Sequence, residues 1–148
     1  MSTTTAPTTL NPSIIGRAEK HHTAVLTRAL AGTTVDEKQW IVLNQALAAG
    51  EPVERSAHIA RIAAMTQWAR AEVETAANAL LASALLTTTP HGLLELTDTG
   101  KAVASKVRAE SGAILAAAYG AVTPEDLATT ARVLATITAR MAQELTHA

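Results

Sequence analysis

The chain has 148 residues, enough for one domain, or one domain with helical arms. Hydrophobic residues make up 48%, mostly Ala, Leu, Val and Ile, with no Phe, so closely packed helices are expected rather than a bulky core. The net charge of −1 is unlike the basic footprint of an avid nucleic-acid binder, and the absence of Cys excludes disulfides, thiolate metal sites and thiol redox sensing.

Residues 1–11 are rich in Thr, contain Pro7 and lack periodicity, which predicts a flexible tail. Pro12 suits a first helical turn, and Ile14 to Leu30 reads as a helix ending before Gly32. Asp36 is placed to cap a second helix carrying Trp40, Leu43 and Leu47, which stops at Gly50. Val53 to Ala64 predicts a short third helix with Ile59 and Ile62 inward. Thr66 reads as the cap of a fourth helix running to Leu81, with Ala69, Val73, Ala76 and Leu80 as its apolar stripe. Leu85 to Leu96 is the strand region, turning at Pro90-His91-Gly92. Thr97 or Asp98 caps a long helix to Tyr119. Thr123-Pro124-Glu125-Asp126 opens a last one to Thr146, with Leu127, Leu134 and Met141 seven apart.

No apolar run reaches the roughly 18 residues of a membrane span, and the start lacks a signal-peptide pattern. A cytoplasmic protein without a membrane partner is expected. Catalysis finds little support. Ser56-Ala57-His58 has no motif context, no Gly-rich phosphate loop occurs, and Glu72 and Glu74 diverge on a helix. The chain reads as a non-enzyme with no cofactor and no metal. His21 and His22 are adjacent on a helix and poorly placed to share an ion.

Three segments, in order, resemble the MarR family of winged-helix regulators. They are Glu37-Lys38-Gln39-Trp40-Ile41-Val42-Leu43, Leu96-Thr97-Asp98-Thr99-Gly100 and Val122-Thr123-Pro124-Glu125-Asp126-Leu127. The resemblance implies a mainly α fold with a small β-hairpin wing. It implies a single domain over residues 12–148, with a winged helix-turn-helix lobe at about 35–97 and dimerisation helices at 12–31 and 98–148. It further implies a homodimeric transcription regulator that binds double-stranded DNA and answers to a small aromatic or anionic ligand. The alternatives are a MarR-like module that has lost DNA binding, or an enzyme with its site in the dimer cleft.

By that resemblance the helix from Thr66 is the recognition helix. Arg55, Arg61, Thr66, Gln67 and Arg70 are the candidate DNA contacts. The same arginines also read as a solvated face paired with Glu51, Glu54 or Glu74. The wing, Thr87-Thr88-Thr89-Pro90-His91-Gly92, lacks the family's Arg. Five acids face three bases between Glu51 and Glu95, which predicts few phosphate contacts. Arg17, His21, His22 and Trp40 are the candidate ligand contacts, with core packing the favoured reading of Trp40.

Overall fold

A computed structural model describes residues 8–147. Its elements are α1 (Pro12–Leu30), α2 (Glu37–Ala49), α3 (Arg55–Thr66), α4 (Arg70–Ala82), β1 (Leu86–Thr88), β2 (Leu94–Leu96), α5 (Asp98–Tyr119) and α6 (Pro124–Thr146). Contacts divide the chain into two compact units, meeting between Ser111 and Gly112 within α5. Most of the expected tail lies outside the described residues. Its last residue, Asn11, caps α1 by accepting the Ile14 amide at 3.1 Å.

Local signals set the other helix ends. Asp36 accepts the Gln39 amide at 2.8 Å, and Gly50 closes α2 at φ 72°, a left-handed turn that glycine adopts without strain. Glu54 caps α3, accepting the amides of Ser56 at 3.0 Å and Ala57 at 2.6 Å. Thr123 caps α6 through the Asp126 amide, and Pro124 takes the first position.

In the first unit α2, α3 and α4 enclose the core. Val42, Leu43, Ile59, Ile62, Val73, Leu80, Leu86 and Val107 are fully or almost fully buried. These side chains recur at helical spacing, so one stripe per helix meets its neighbours. The hairpin is antiparallel, pairing Leu86 with Leu96 and Thr88 with Leu94. Val53 joins its edge by exchanging two 2.8 Å hydrogen bonds with Leu94, which ties the lead-in of α3 to the wing.

Gly100 fixes how α5 leaves the hairpin. A Cβ there would lie 2.0 Å from the Leu85 carbonyl oxygen. The Thr97 hydroxyl, 2.6 Å from the Ala84 carbonyl, also accepts the Gly100 amide at 2.9 Å. The Leu-Thr-x-x-Gly pattern is therefore a docking device, its glycine required by close backbone approach.

The fourth helix starts later than its sequence suggests. Thr66 is the last residue of α3, with its hydroxyl on the Ile62 carbonyl at 2.7 Å, and α4 begins at Arg70. Ala69 is its exposed N-cap and does not join the apolar stripe. Gln67, at φ 62°, turns the chain instead. Sequence reasoning takes Thr for a cap because no glycine marks the turn.

In the second unit no residue of α6 is buried. Leu127, Leu134 and Ile137 are half-buried, whereas Val133, Met141 and Leu145 are exposed. No helix among the described residues is long and apolar enough to cross a membrane.

Candidate nucleic-acid interface

Helices α3 and α4, joined through Gln67, Trp68 and Ala69, form a helix-turn-helix. Its outward side gathers a polar cluster. Arg55 of α3 donates to the Asn78 side-chain oxygen of α4 at 2.7 Å. Arg70, at the start of α4, donates to the Ser56 hydroxyl at 2.8 Å and to Glu74 at 3.2 Å. Two helices are thus stitched by side chains that are exposed at Arg70 and half-buried at Arg55. The amides that hold Glu54 keep its carboxyl below the usual range, with the Arg70 charge adding to the effect.

The sequence candidates fare unequally. Arg55 and Arg70 belong to this cluster. Arg61 stands apart, with its Nη2 3.0 Å from His58 Nδ1. Thr66 and Gln67 do not open a recognition helix: Thr66 accepts the Trp68 amide at 3.2 Å, and the Gln67 amide group folds back onto the Ala64 carbonyl at 2.8 Å. Both close α3. Ser56 and Asn78 were missed as site residues, because only the packing of α3 on α4 reveals that each receives an arginine. Along α4 the exposed positions are Arg70, Ala71, Glu72, Thr75, Asn78 and Ala82. No side chain caps its N-terminus: the Glu72 amide donates to the Ala69 carbonyl at 3.0 Å, while the Arg70 and Ala71 amides have no side-chain partner among the described residues.

Trp68 is half-buried against the core, and Lys38 lies 5.6 Å above its ring while pairing with Glu72 at 2.6 Å. That hydrogen bond raises the Lys38 pKa. The wing tip exposes Pro90, His91 and Gly92 and carries no arginine or lysine.

The ligand candidates separate as well. Trp40 is 6% exposed and sits in the core, so its indole offers no open face for a ligand to stack on. This corrects the aromatic-wall reading. Arg17, His21 and His22 lie on the exposed side of α1, where the two imidazoles bond carbonyls of their own helix at 2.8 and 2.7 Å. Among the described residues no group of three His, Asp or Glu is placed to hold a metal ion.

No protein-family model and no curated protein matches the chain. Solved structures do. A protein of unknown function from Listeria innocua is 24% identical, with 86% of this chain and 90% of that one covered and a TM-score of 0.63. A MarR-family transcriptional regulator from Rhodococcus is 17% identical over 84% and 90%, with a TM-score of 0.67. BpsR of Bordetella bronchiseptica, whose DNA binding is regulated by 6-hydroxynicotinic acid, is 19% identical over 90% and 98%, with a TM-score of 0.65. The fold is that of the MarR-family winged-helix regulators. In MarR terms α3 and α4 are the helix-turn-helix and β1–β2 is the wing.

Proposed function

We propose that the protein is a homodimeric MarR-type transcription regulator that binds DNA through paired α4 helices. The observation that carries this reading is the arginine cluster of α3 and α4. Arg55 and Arg70 are held in place by Asn78 and Ser56 beside an uncapped α4 N-terminus. Side chains fixed in this way lose little further entropy on meeting a phosphate. The wing adds no cation, so the contacts are few and the helix-turn-helix carries them.

Dimerisation is supported by uncovered apolar side chains on both chain arms. Ile14 and Ile15 of α1 are each 38% exposed, and Met141 and Leu145 of α6 are 53% and 74% exposed. Such faces are normally covered by a partner, and a two-fold dimer presents its recognition helices about 34 Å apart to a palindromic site. A small anionic ligand is the proposed effector, with Arg17, His21 and His22 as its anchors and without Trp40. The regulation of BpsR by an aromatic acid supports that class.

A mobility-shift titration with DNA flanking the gene tests the reading. Retarded complexes at low salt are expected, with a shallow salt slope. Arg70→Ala should weaken them by about 1–3 kcal/mol. Aromatic acids should release the DNA from wild type and not from Arg17→Ala. A blank titration at low salt would leave the ligand- or protein-binding module as the better reading.

A further inference from the structure

His58 is the buried polar side chain of the core among the described residues, 3% exposed. Both of its ring nitrogens are engaged. Nε2 lies 3.1 Å from the Val42 carbonyl of α2, and Nδ1 lies 3.0 Å from Arg61 Nη2. A guanidinium can only donate, so Nδ1 accepts and carries no proton. Nε2 must then carry the hydrogen and donate it to Val42. The ring is neutral and locked in one tautomer.

Arg61 is exposed, one turn further along α3. Unlike Arg70, it has no carboxylate partner among the described residues. A neutral acceptor restrains its guanidinium through the terminal nitrogen Nη2.

We propose that His58 is a positioning residue: its neutral ring holds the Arg61 guanidinium for contact with a DNA phosphate. The inference rests on the DNA-binding reading above and adds a regulation to it. A proton on Nδ1 would set donor against donor and charge against charge, so Arg61 would be expelled from its seat. The charged groups about the ring are few. Arg61 shares its helix. Glu51 and Glu54, from the segment ahead of α3, line with His58 and Arg61 a hollow of about 300 Å³. Glu54 is already committed to two backbone amides. Helix α2 contributes the Val42 carbonyl. Burial, reinforced by Arg61, lowers the His58 pKa against the opposing pull of that carbonyl, so the neutral ring persists at neutral pH. DNA affinity should therefore depend on acid through His58.

The test uses His58→Gln, whose amide nitrogen can donate to Val42 and whose oxygen can accept from Arg61, without titrating. Anisotropy titrations would use a duplex selected from a random pool by the wild-type protein, between about pH 7.5 and about pH 5. The other histidines are common to both proteins, so the difference isolates His58. Wild type should lose affinity relative to His58→Gln towards the acid end of this range. Arg61→Ala should bind more weakly at the upper pH, with a salt slope smaller by about one, and should lack the extra acid sensitivity. Parallel pH profiles for wild type and His58→Gln overturn the inference, as does wild-type affinity in Arg61→Ala. If His58→Gln does not fold, Arg61→Ala against wild type decides by the same profile. Nitrogen NMR of the DNA-free protein should show the Nε2–H tautomer, and an Nδ1–H signal overturns the geometry. No binding by any protein at the upper pH overturns the DNA reading itself, whatever the tautomer.

Discussion

Replacing Gly100 with Ala sets two effects of opposite sign against each other. Gly100 lies in the first turn of α5, where Ala would ordinarily favour the helix by about 1 kcal/mol. Against this, the new Cβ would stand 2.0 Å from the Leu85 oxygen and 2.9 Å from its carbonyl carbon. Both atoms are backbone, held by Thr97, whose amide donates to that oxygen at 3.1 Å. Relief requires α5 to move off the hairpin by roughly an ångström, which is overpacking of the kind that costs about 1–3 kcal/mol. The Thr97 bonds to Leu85 and Ala84 would stretch as well, adding about 0.5–1.5 kcal/mol each if lost. The overlap wins, and a net destabilisation of about 2 kcal/mol is expected. Urea denaturation followed by circular dichroism measures it, at one protein concentration because assembly shifts the midpoint. A Gly100→Ala protein as stable as wild type, or more so, would show that α5 is not seated on Leu85 as described.

Ala84 occupies a left-handed conformation at φ 60°, so Ala84→Gly should stabilise by about 0.5–1 kcal/mol in the same assay, and a loss would refute the strain. Light scattering should give a dimer burying more than about 2,000 Å², and a monomer at micromolar concentration rejects it. The pKa of His58 is lowered on folding, so the unfolded chain takes up its proton first as pH falls below 6.5. Thermal stability owed to that residue is thus complete above this pH and declines below it. His58→Gln should flatten the decline, and an unchanged difference between the two proteins across pH would contradict the sign. Val53→Pro removes the amide that bonds Leu94 at 2.8 Å and should loosen the wing; amide exchange at Leu94 no faster than in wild type would count against that tie.

Helix positions and the hairpin were legible from local chemistry alone. Asp36 and Thr123 cap helices because their side chains satisfy amides a few residues away, which needs no tertiary partner. Leu85-Leu86 and Leu93 to Leu96 are short leucine-rich runs, and Pro90-Gly92 turns the chain between them. The order of these elements sufficed to suggest the MarR fold. What failed depended on contacts distant in sequence. Thr66 has the chemistry of an N-cap, yet the packing of Ile59 and Ile62 carries α3 through it, and a three-residue turn without glycine follows. Trp40 could have lined a cleft or filled a core, because periodicity says which face is apolar and not what covers it; the helices packed around it decide for the core. Ser56, Asn78 and His58 gained their roles only when folding brought Arg70, Arg55 and Val42 to within hydrogen-bond distance. Caps and turns are short-range and so are written in the sequence, whereas a partner 14 to 23 residues away is chosen by the crossing of two helices.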